Sequence, residues 1–420
     1  MTRTERQQEA IKKWIKNKGV GTWEFPTAFG KTYTAITAIK AVRKKYPNLS
    51  VLVVVPTTTL KDQWNDELIK HELYFNIDVL VINTVIKHKY KYDMLIIDEI
   101  HSSVADTLKE VFNCVKYKLI LGLTATFERL DGKHLLLNKY CPIIDQVSTY
   151  EALVNDWISI YKEYQVIIEV DDIAEYKRLN KEFIQYFEFF GYDFDKAMKT
   201  AGPEGWKYKL KLRDEMYQGK DESKRKEILQ AITINSVGLM RVMQKRKAFI
   251  NNHPKKIEIA KKIMKARPDA KIITFSNNVN MAEALENGEN VYTGKTSKKV
   301  GRVMIEDYLS GKINHLHSVK KLIEGFNDPN TNVAIILGLD SSERRATQTR
   351  GRVIRKTTTN KQAEIFNIVI KDTQETKWFD LSHKKTKDYI TIDEKGLEQV
   401  LRGEQPEPYK KKIGEILFRF

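Results

Sequence analysis

Three successive residues, Gly30, Lys31 and Thr32 in the stretch FPTAFGKTYTAI, are of the types that hold a phosphate. Glycine lets the backbone aim its N–H groups at an anion, lysine adds a point charge, and a threonine hydroxyl joins a magnesium shell. The full pattern is G-x-x-x-x-G-K-[ST], and Phe25 stands where its first glycine belongs. Downstream, LIIDEIH sets Asp98 and Glu99 directly after an apolar run. At a strand's carboxyl end, Asp98 can share a magnesium ion with Thr32, and Glu99 can orient and deprotonate a water. Each feature alone has a bland reading, a chance triplet or a surface acid pair. Together they predict a nucleotide-hydrolysing site.

Such a site needs a strand before the loop and a helix after it. GTWEF reads as the strand and KTYTAITAIKAVRKK as the helix, whose positive N-terminal end faces the phosphates. The runs at 51–56, 77–83, 92–100 and 117–125 are short, apolar and bounded by polar residues, with helix-length stretches between them. That alternation predicts a parallel sheet covered on both faces. A second series follows at 270–277, 289–294, 313–318, 332–339 and 363–372. The fold class is therefore α/β with two sheet units, expected over residues 1–150 and 251–420. The intervening 151–250 begins the second half and carries a charged, helical accessory segment. Its residues Tyr176, Leu179, Phe183, Phe187 and Phe190 recur at three- and four-residue steps, the mark of a helix face turned to a core. The basic stretch from Lys207 to Arg225 is a better nucleic-acid surface than those aromatics. The final segment, YITIDEKGLEQVLRGEQPEPYKKKIGEILFRF, matches no assignable pattern, and its last apolar residues are expected to pack back onto a domain.

A chain of 420 residues exceeds one ordinary core. No apolar run approaches the roughly 18 residues of a membrane span. The N-terminus MTRTERQQEAIKKW lacks a signal-peptide core, and only Cys114 and Cys141 occur, which predicts a reducing cytoplasm. Lys plus Arg number 72 against 55 Asp plus Glu, leaving +17. A surplus of that size suits a polyanionic partner, because each cation set against a phosphate releases condensed counterions.

GKT, DEIH, GLTATFER and QTRGRVIR occur in the order found in superfamily 2 helicases, the DExH-box nucleic-acid motors. With VVVPTTTLKDQW and ATFERLDG added, the chain resembles the branch holding XPB-like proteins and phage branch-migration helicases. The resemblance spans roughly residues 4–375, and six motifs in order make it specific. It implies two RecA-like domains in tandem with the helical segment between them, ATP and Mg²⁺ as cofactors, and movement on DNA with 3′→5′ polarity. It further implies a monomer working on single-stranded, forked or branched DNA in the cytoplasm, that of the host cell if phage-encoded.

By motif match, Gln7 reads adenine, and Thr27, Ala28, Phe29, Gly30, Lys31 and Thr32 wrap the nucleotide. Lys31 holds the β- and γ-phosphates, Thr32 and Asp98 the metal, and Glu99 the water. His101, Thr124 and Thr126 couple the ATP site to the nucleic acid, while Gln348, Arg352 and Arg355 reach across from the second domain. A guanidinium fork is well matched to the charge that spreads over the γ-phosphate in the transition state, and an arginine finger gives ~10³–10⁵ in rate. The spacing R-x-x-R brings Arg352 and Arg355 to one helix face. Candidate phosphate contacts along the nucleic-acid track are Thr57, Thr58, Thr84, Ser276, Ser318 and Lys320, although Ser and Thr at strand ends also serve as caps.

The chain departs from the pattern at Phe25, Ala28, Phe127 and Asn327. Alanine tolerates positive φ poorly, which predicts an altered loop path or weakened nucleotide affinity. Three alternatives stand beside the DNA motor: an RNA helicase, a double-strand translocase, and a nucleic-acid-binding protein with a degenerate ATP site. No nuclease motif is visible, which argues against a restriction subunit.

Overall fold

The computed structural model describes residues 1–100, 105–125, 138–158, 161–202, 204–319, 328, 330–339, 362–383, 389–407 and 409. Val51–Val55 (VLVVV), all five residues buried, shows why the strands form. β-Branched side chains fit a pleated surface, and a run buried on both faces has no polar side to present.

In the N-terminal half, the helices α1 (Arg3–Lys16), α2 (Lys31–Arg43), α3 (Thr58–Lys70), α4 (Ile82–Val85) and α5 (Ala105–Cys114) alternate with strands. The strands are β1 (Val20–Glu24), β2 (Val51–Val55), β3 (Ile77–Val81), β4 (Tyr90–Lys91), β5 (Met94–Ile97), β6 (Val115–Lys116), β7 (Leu119–Thr124) and β8 (Ile143–Gln146). Six of them form one sheet in the order β3-β2-β5-β7-β1-β8, with parallel pairing throughout. β4 and β6 form a separate small pair.

A short helix, α6 (Thr149–Val154), leads out of β8 towards β9 (Tyr161–Ile168), which belongs to the second sheet. Four helices follow: α7 (Ile173–Glu188), α8 (Phe194–Ala201), α9 (Gly205–Met216) and the long α10 (Glu222–Asn252). Only then does the chain complete the sheet. It does so with α11 (Pro254–Ala266), β10 (Ile272–Ser276), α12 (Val279–Glu283), β11 (Val291–Tyr292), α13 (Lys298–Ser310), β12 (His315–Val319), β13 (Val333–Ile336), β14 (Ala363–Ile370), α14 (Gln374–Ser382), β15 (Ile390–Ile392) and α15 (Glu394–Leu401). The order is β11-β12-β10-β13-β14-β9-β15, again with parallel pairing. The accessory helices are thus inserted within the second sheet unit, after its first strand.

The aromatic stripe of α7 faces inward. Phe190, Ala197, Leu212, Ile232 and Leu239 form a core of their own, with Phe183 and Phe187 packed against it. Gly238 lets α10 approach α7, since a Cβ there would meet the Tyr186 ring at 2.4 Å. The second sheet is pinned by a fully buried ion pair. Lys256 on α11 donates to Glu375 on α14 at 2.5 Å and to the Leu337 carbonyl at 2.9 Å. Burial pushes the Glu375 carboxyl up and the Lys256 ammonium down, each against the pull of the other.

Candidate nucleotide site

The parallel order places three carboxyl-end segments side by side. β7 lies between β1, which feeds the glycine-lysine-threonine loop, and β5, which feeds Asp98 and Glu99. Glu24 is paired with Thr124 and Ile97 with Gly122, so the three strands end at nearly one level. This carboxyl edge is where open parallel sheets bind ligands.

Gly30 is the N-cap residue of α2, with φ +94°, and no side chain caps that helix. Its first N–H groups and positive dipole end are therefore available to an anion. A Cβ at Gly30 would meet Gln7 Nε2 at 2.8 Å, and the φ of +94° would strain any side chain placed there. Gln7 is buried and donates from Nε2 to the Phe29 carbonyl at 2.7 Å, which ties α1 to the loop. The Lys31 ammonium rests on the Phe25 carbonyl at 3.3 Å. Thr27 Oγ1 is buried without a hydrogen-bond partner.

Ala28 adopts φ +71°. The loop therefore holds a non-glycine residue in the left-handed region, at a cost of roughly 1–2 kcal/mol. Packing holds it there. Trp23, Phe25 and Phe29 are all fully buried. The Phe25 ring stacks on Trp23 at 5.7 Å and meets Phe29 edge-on at 4.9 Å. Phe25 thus fills with core the space an open glycine turn would leave to solvent.

Asp98 is buried and fully engaged. Its Oδ2 accepts from Trp64 Nε1 at 2.7 Å, and its Oδ1 accepts from the Glu99 N–H at 2.9 Å. Burial, then the neighbouring Glu99 charge, pushes its pKa up to about 6, against the Trp64 bond and the Lys31 ammonium. Glu99 itself stands at φ +48°. Strained non-glycine backbone of this kind persists where surrounding structure over-determines it, and it concentrates at reactive centres. Trp64, one turn into α3 from the PTTTL segment, is a partner the sequence reading missed.

The remaining candidates divide by exposure. Thr57 caps α3, its Oγ1 accepting from the Leu60 N–H at 3.3 Å, while Thr58 and Thr84 are exposed. Ser276 and Ser318 are buried at the ends of β10 and β12, and Ser276 Oγ donates to the Asn278 carbonyl. Thr124 is buried at the end of β7. His101, Thr126, Lys320, Gln348, Arg352 and Arg355, with the departures Phe127 and Asn327, lie outside the described residues.

Residues 1–91 and 84–129 match the family described as the res subunit of type III restriction enzymes, and residues 255–357 match the helicase conserved C-terminal domain. The chain is a superfamily 2 helicase. It carries the family's nucleic-acid-dependent ATPase machinery. This helicase is 25% identical to the DNA 3′-5′ translocase XPB2 of Sulfurisphaera tokodaii over 390 residues, 87% of this chain and 81% of that protein. It is 30% identical to putative helicase 109L of Invertebrate iridescent virus 3 over 140 residues, 27% of this chain and 41% of the viral one. Among solved structures, the Hef helicase domain of Pyrococcus furiosus aligns with a TM-score of 0.52 at 15% identity, covering 89% of this helicase and 96% of that chain. S. cerevisiae Dbp5 bound to RNA and ADP BeF3 aligns at 0.60 with 12% identity, covering 94% and 91%. At such identities the structures show the fold, two RecA-like parallel-sheet domains in tandem. No helix among the described residues is long and apolar enough to cross a membrane.

Proposed function

We propose that this helicase hydrolyses ATP at the loop 25–32 to drive 3′→5′ movement on DNA, and that it remodels forked or branched DNA. The observation that carries the ATP site is the convergence of an uncapped helix N-terminus, Lys31 and the Asp98–Glu99 pair at adjacent strand ends. The similarity to a DNA 3′-5′ translocase over most of both chains supports the choice of DNA and of polarity.

The residues present fit the nucleotide and its metal. An orphaned threonine hydroxyl, free helix N–H groups and a hard carboxylate are the donors and acceptors that a magnesium-bound triphosphate needs. In this reading Lys31 leaves the Phe25 carbonyl for the β- and γ-phosphates, and Gln7 turns its amide to the adenine. Thr32 and Asp98 hold Mg²⁺, which neutralises charge on the phosphate oxygens. Trp64 fixes the Asp98 carboxylate by its indole N–H. A Glu99 carboxylate oxygen accepts the proton of the attacking water. Gln348, Arg352 and Arg355 complete the site from the second domain, and His101, Thr124 and Thr126 pass its state to the DNA. Thr58 and Thr84 are the exposed hydroxyls for phosphate contact, with Thr57 at the helix start beside them. Lys320 joins this track, whereas Ser276 and Ser318 would have to emerge from the sheet to do so. A single chain holds every proposed element, so a monomer suffices.

The test is ATP hydrolysis without nucleic acid and with single-stranded DNA, a forked duplex and matched RNA. We expect stimulation greatest on the fork. Lys31→Ala should lower turnover at least about a hundredfold while salt-sensitive DNA binding persists. Hydrolysis that survives this substitution sinks the site, and stronger stimulation by RNA sinks the choice of DNA.

A further inference from the structure

The crossing from the first sheet to the second touches the nucleotide loop. α6 ends in a left-handed residue, Asp156 at φ +54°. The Trp157 N–H then returns to the Ala152 carbonyl at 2.8 Å and the Asp156 N–H to the Leu153 carbonyl at 3.0 Å. This paired closure fixes the exit direction of the chain. It delivers the Trp157 ring, 2% exposed, edge-on to Phe29 at 5.6 Å and 65°. The indole N–H donates to the Met1 carbonyl at 3.0 Å, and Arg3 donates to the Trp157 carbonyl at 3.3 Å. Trp157 is thus oriented at both its ring and its backbone, just ahead of β9.

Phe29 sits between the two left-handed residues of the loop, Ala28 and Gly30. Its carbonyl is held by Gln7, and its ring is held between Phe25 and Trp157. One residue from Gln7, Arg6 grips Asp145 at 2.6 Å and lies 5.9 Å from the centre of the Phe25 ring. The loop's strained path is therefore set on one side by the first sheet and on the other by the segment that carries the second.

We propose that Trp157 is a positioning residue for ATP hydrolysis: through Phe29 it makes the geometry of the loop N–H groups depend on where the second domain pulls the crossing segment. The inference rests on the reading of this loop as the ATP site. When β9 moves, Trp157 moves with it, Phe29 follows, and the donors at Gly30 to Thr32 are re-aimed. Packed aromatic contacts carry such a shift because close-packed interiors do not deform smoothly.

The experiment compares wild type, Trp157→Ala, Trp157→Phe and Phe29→Leu in the full chain. It reads affinity for a fluorescent ATP analogue, KM and kcat with and without single-stranded DNA, and thermal unfolding. Trp157→Ala should weaken ATP binding and raise KM about tenfold, and lower the ratio of stimulated to unstimulated turnover at least threefold, within the range of ordinary coupling energies. Trp157→Phe should restore both to within about twofold, because it keeps a ring against Phe29. Phe29→Leu should resemble Trp157→Ala, and it carries the test if the latter does not fold. A folded Trp157→Ala with wild-type KM and stimulation overturns the proposal, as does a lowered unfolding temperature with both parameters unchanged. Binding of the analogue by wild type and its loss in Lys31→Ala test the ATP site separately. If wild type does not bind it, the site and this inference fall together.

Discussion

At the scale of single residues, the candidate chemistry is legible in the sequence, and the side chains packed around it are not. Gly30, Lys31, Asp98 and Glu99 are recognisable because phosphate and metal chemistry leaves few substitutes. Trp64 and Trp157 were not, because an indole that reaches a carboxylate or a loop from another element looks in sequence like any core aromatic. Alanine at a left-handed position predicts an altered loop path or weakened nucleotide affinity. Ala28 stands at φ +71° beside the packed rings of Phe25 and Phe29. Ala28→Gly should therefore stabilise the protein. It relieves roughly 1–2 kcal/mol of strain and returns about 0.5–1 kcal/mol of that as extra freedom of the unfolded chain. The net gain of about 0–1.5 kcal/mol should raise the unfolding temperature by at most about 2 °C; a downward shift would mean that the methyl group's packing outweighs its strain.

At the scale of elements, continuous apolar runs identified β2, β3, β5, β7, β10, β12, β13 and β14. Their order across each sheet was not legible, since parallel neighbours share no local signal. β9 escaped because polar residues interrupt it. Glu163 and Gln165 are buried in it; Asn367 and His383 bond the Glu163 carboxylate, and Thr391 donates to Gln165 Oε1, all from elements far along the chain. Such pairing disguises a strand as a surface segment. The Lys256–Glu375 pair is likewise invisible in sequence, and it yields a prediction. Lys256→Met strands a buried carboxylate and should cost about 3–5 kcal/mol. Adding Glu375→Leu removes that charge and should recover most of the loss, although it leaves the Ile370 N–H, which donates to Glu375 at 3.0 Å, without its acceptor. Urea unfolding of the single and double variants decides it, and a double variant no more stable than the single would refute the account.

At the scale of the whole molecule, the surplus of +17 has a place where it meets an aromatic. Trp206, 62% exposed, opens α9 with Lys207, Lys209 and Lys211 following, and the Lys207 ammonium lies 5.8 Å from its ring centre. An exposed indole among lysines is suited to stack a base while the cations hold the backbone. Trp206→Ala should weaken single-stranded DNA binding roughly 5- to 100-fold and leave the salt dependence intact, because the ring carries no charge. Unchanged affinity in a fluorescence titration would place the strand elsewhere.

The insertion of four helices after β9 also has a consequence for how the chain is made. Every strand of the first sheet lies between Val20 and Gln146, so that sheet can close early in synthesis. β9 must wait: Glu163 and its partner Asn367 are 204 residues apart. At ribosomal speeds of about 5–20 residues per second, that is roughly 10–40 s with this strand unpaired. During that interval the accessory helices, whose contacts are local, can already fold beside it. The N-terminal half thus emerges as a finished unit, while in the second β10 to β13 can pair as they appear and β9 joins them only when β14 leaves the ribosome.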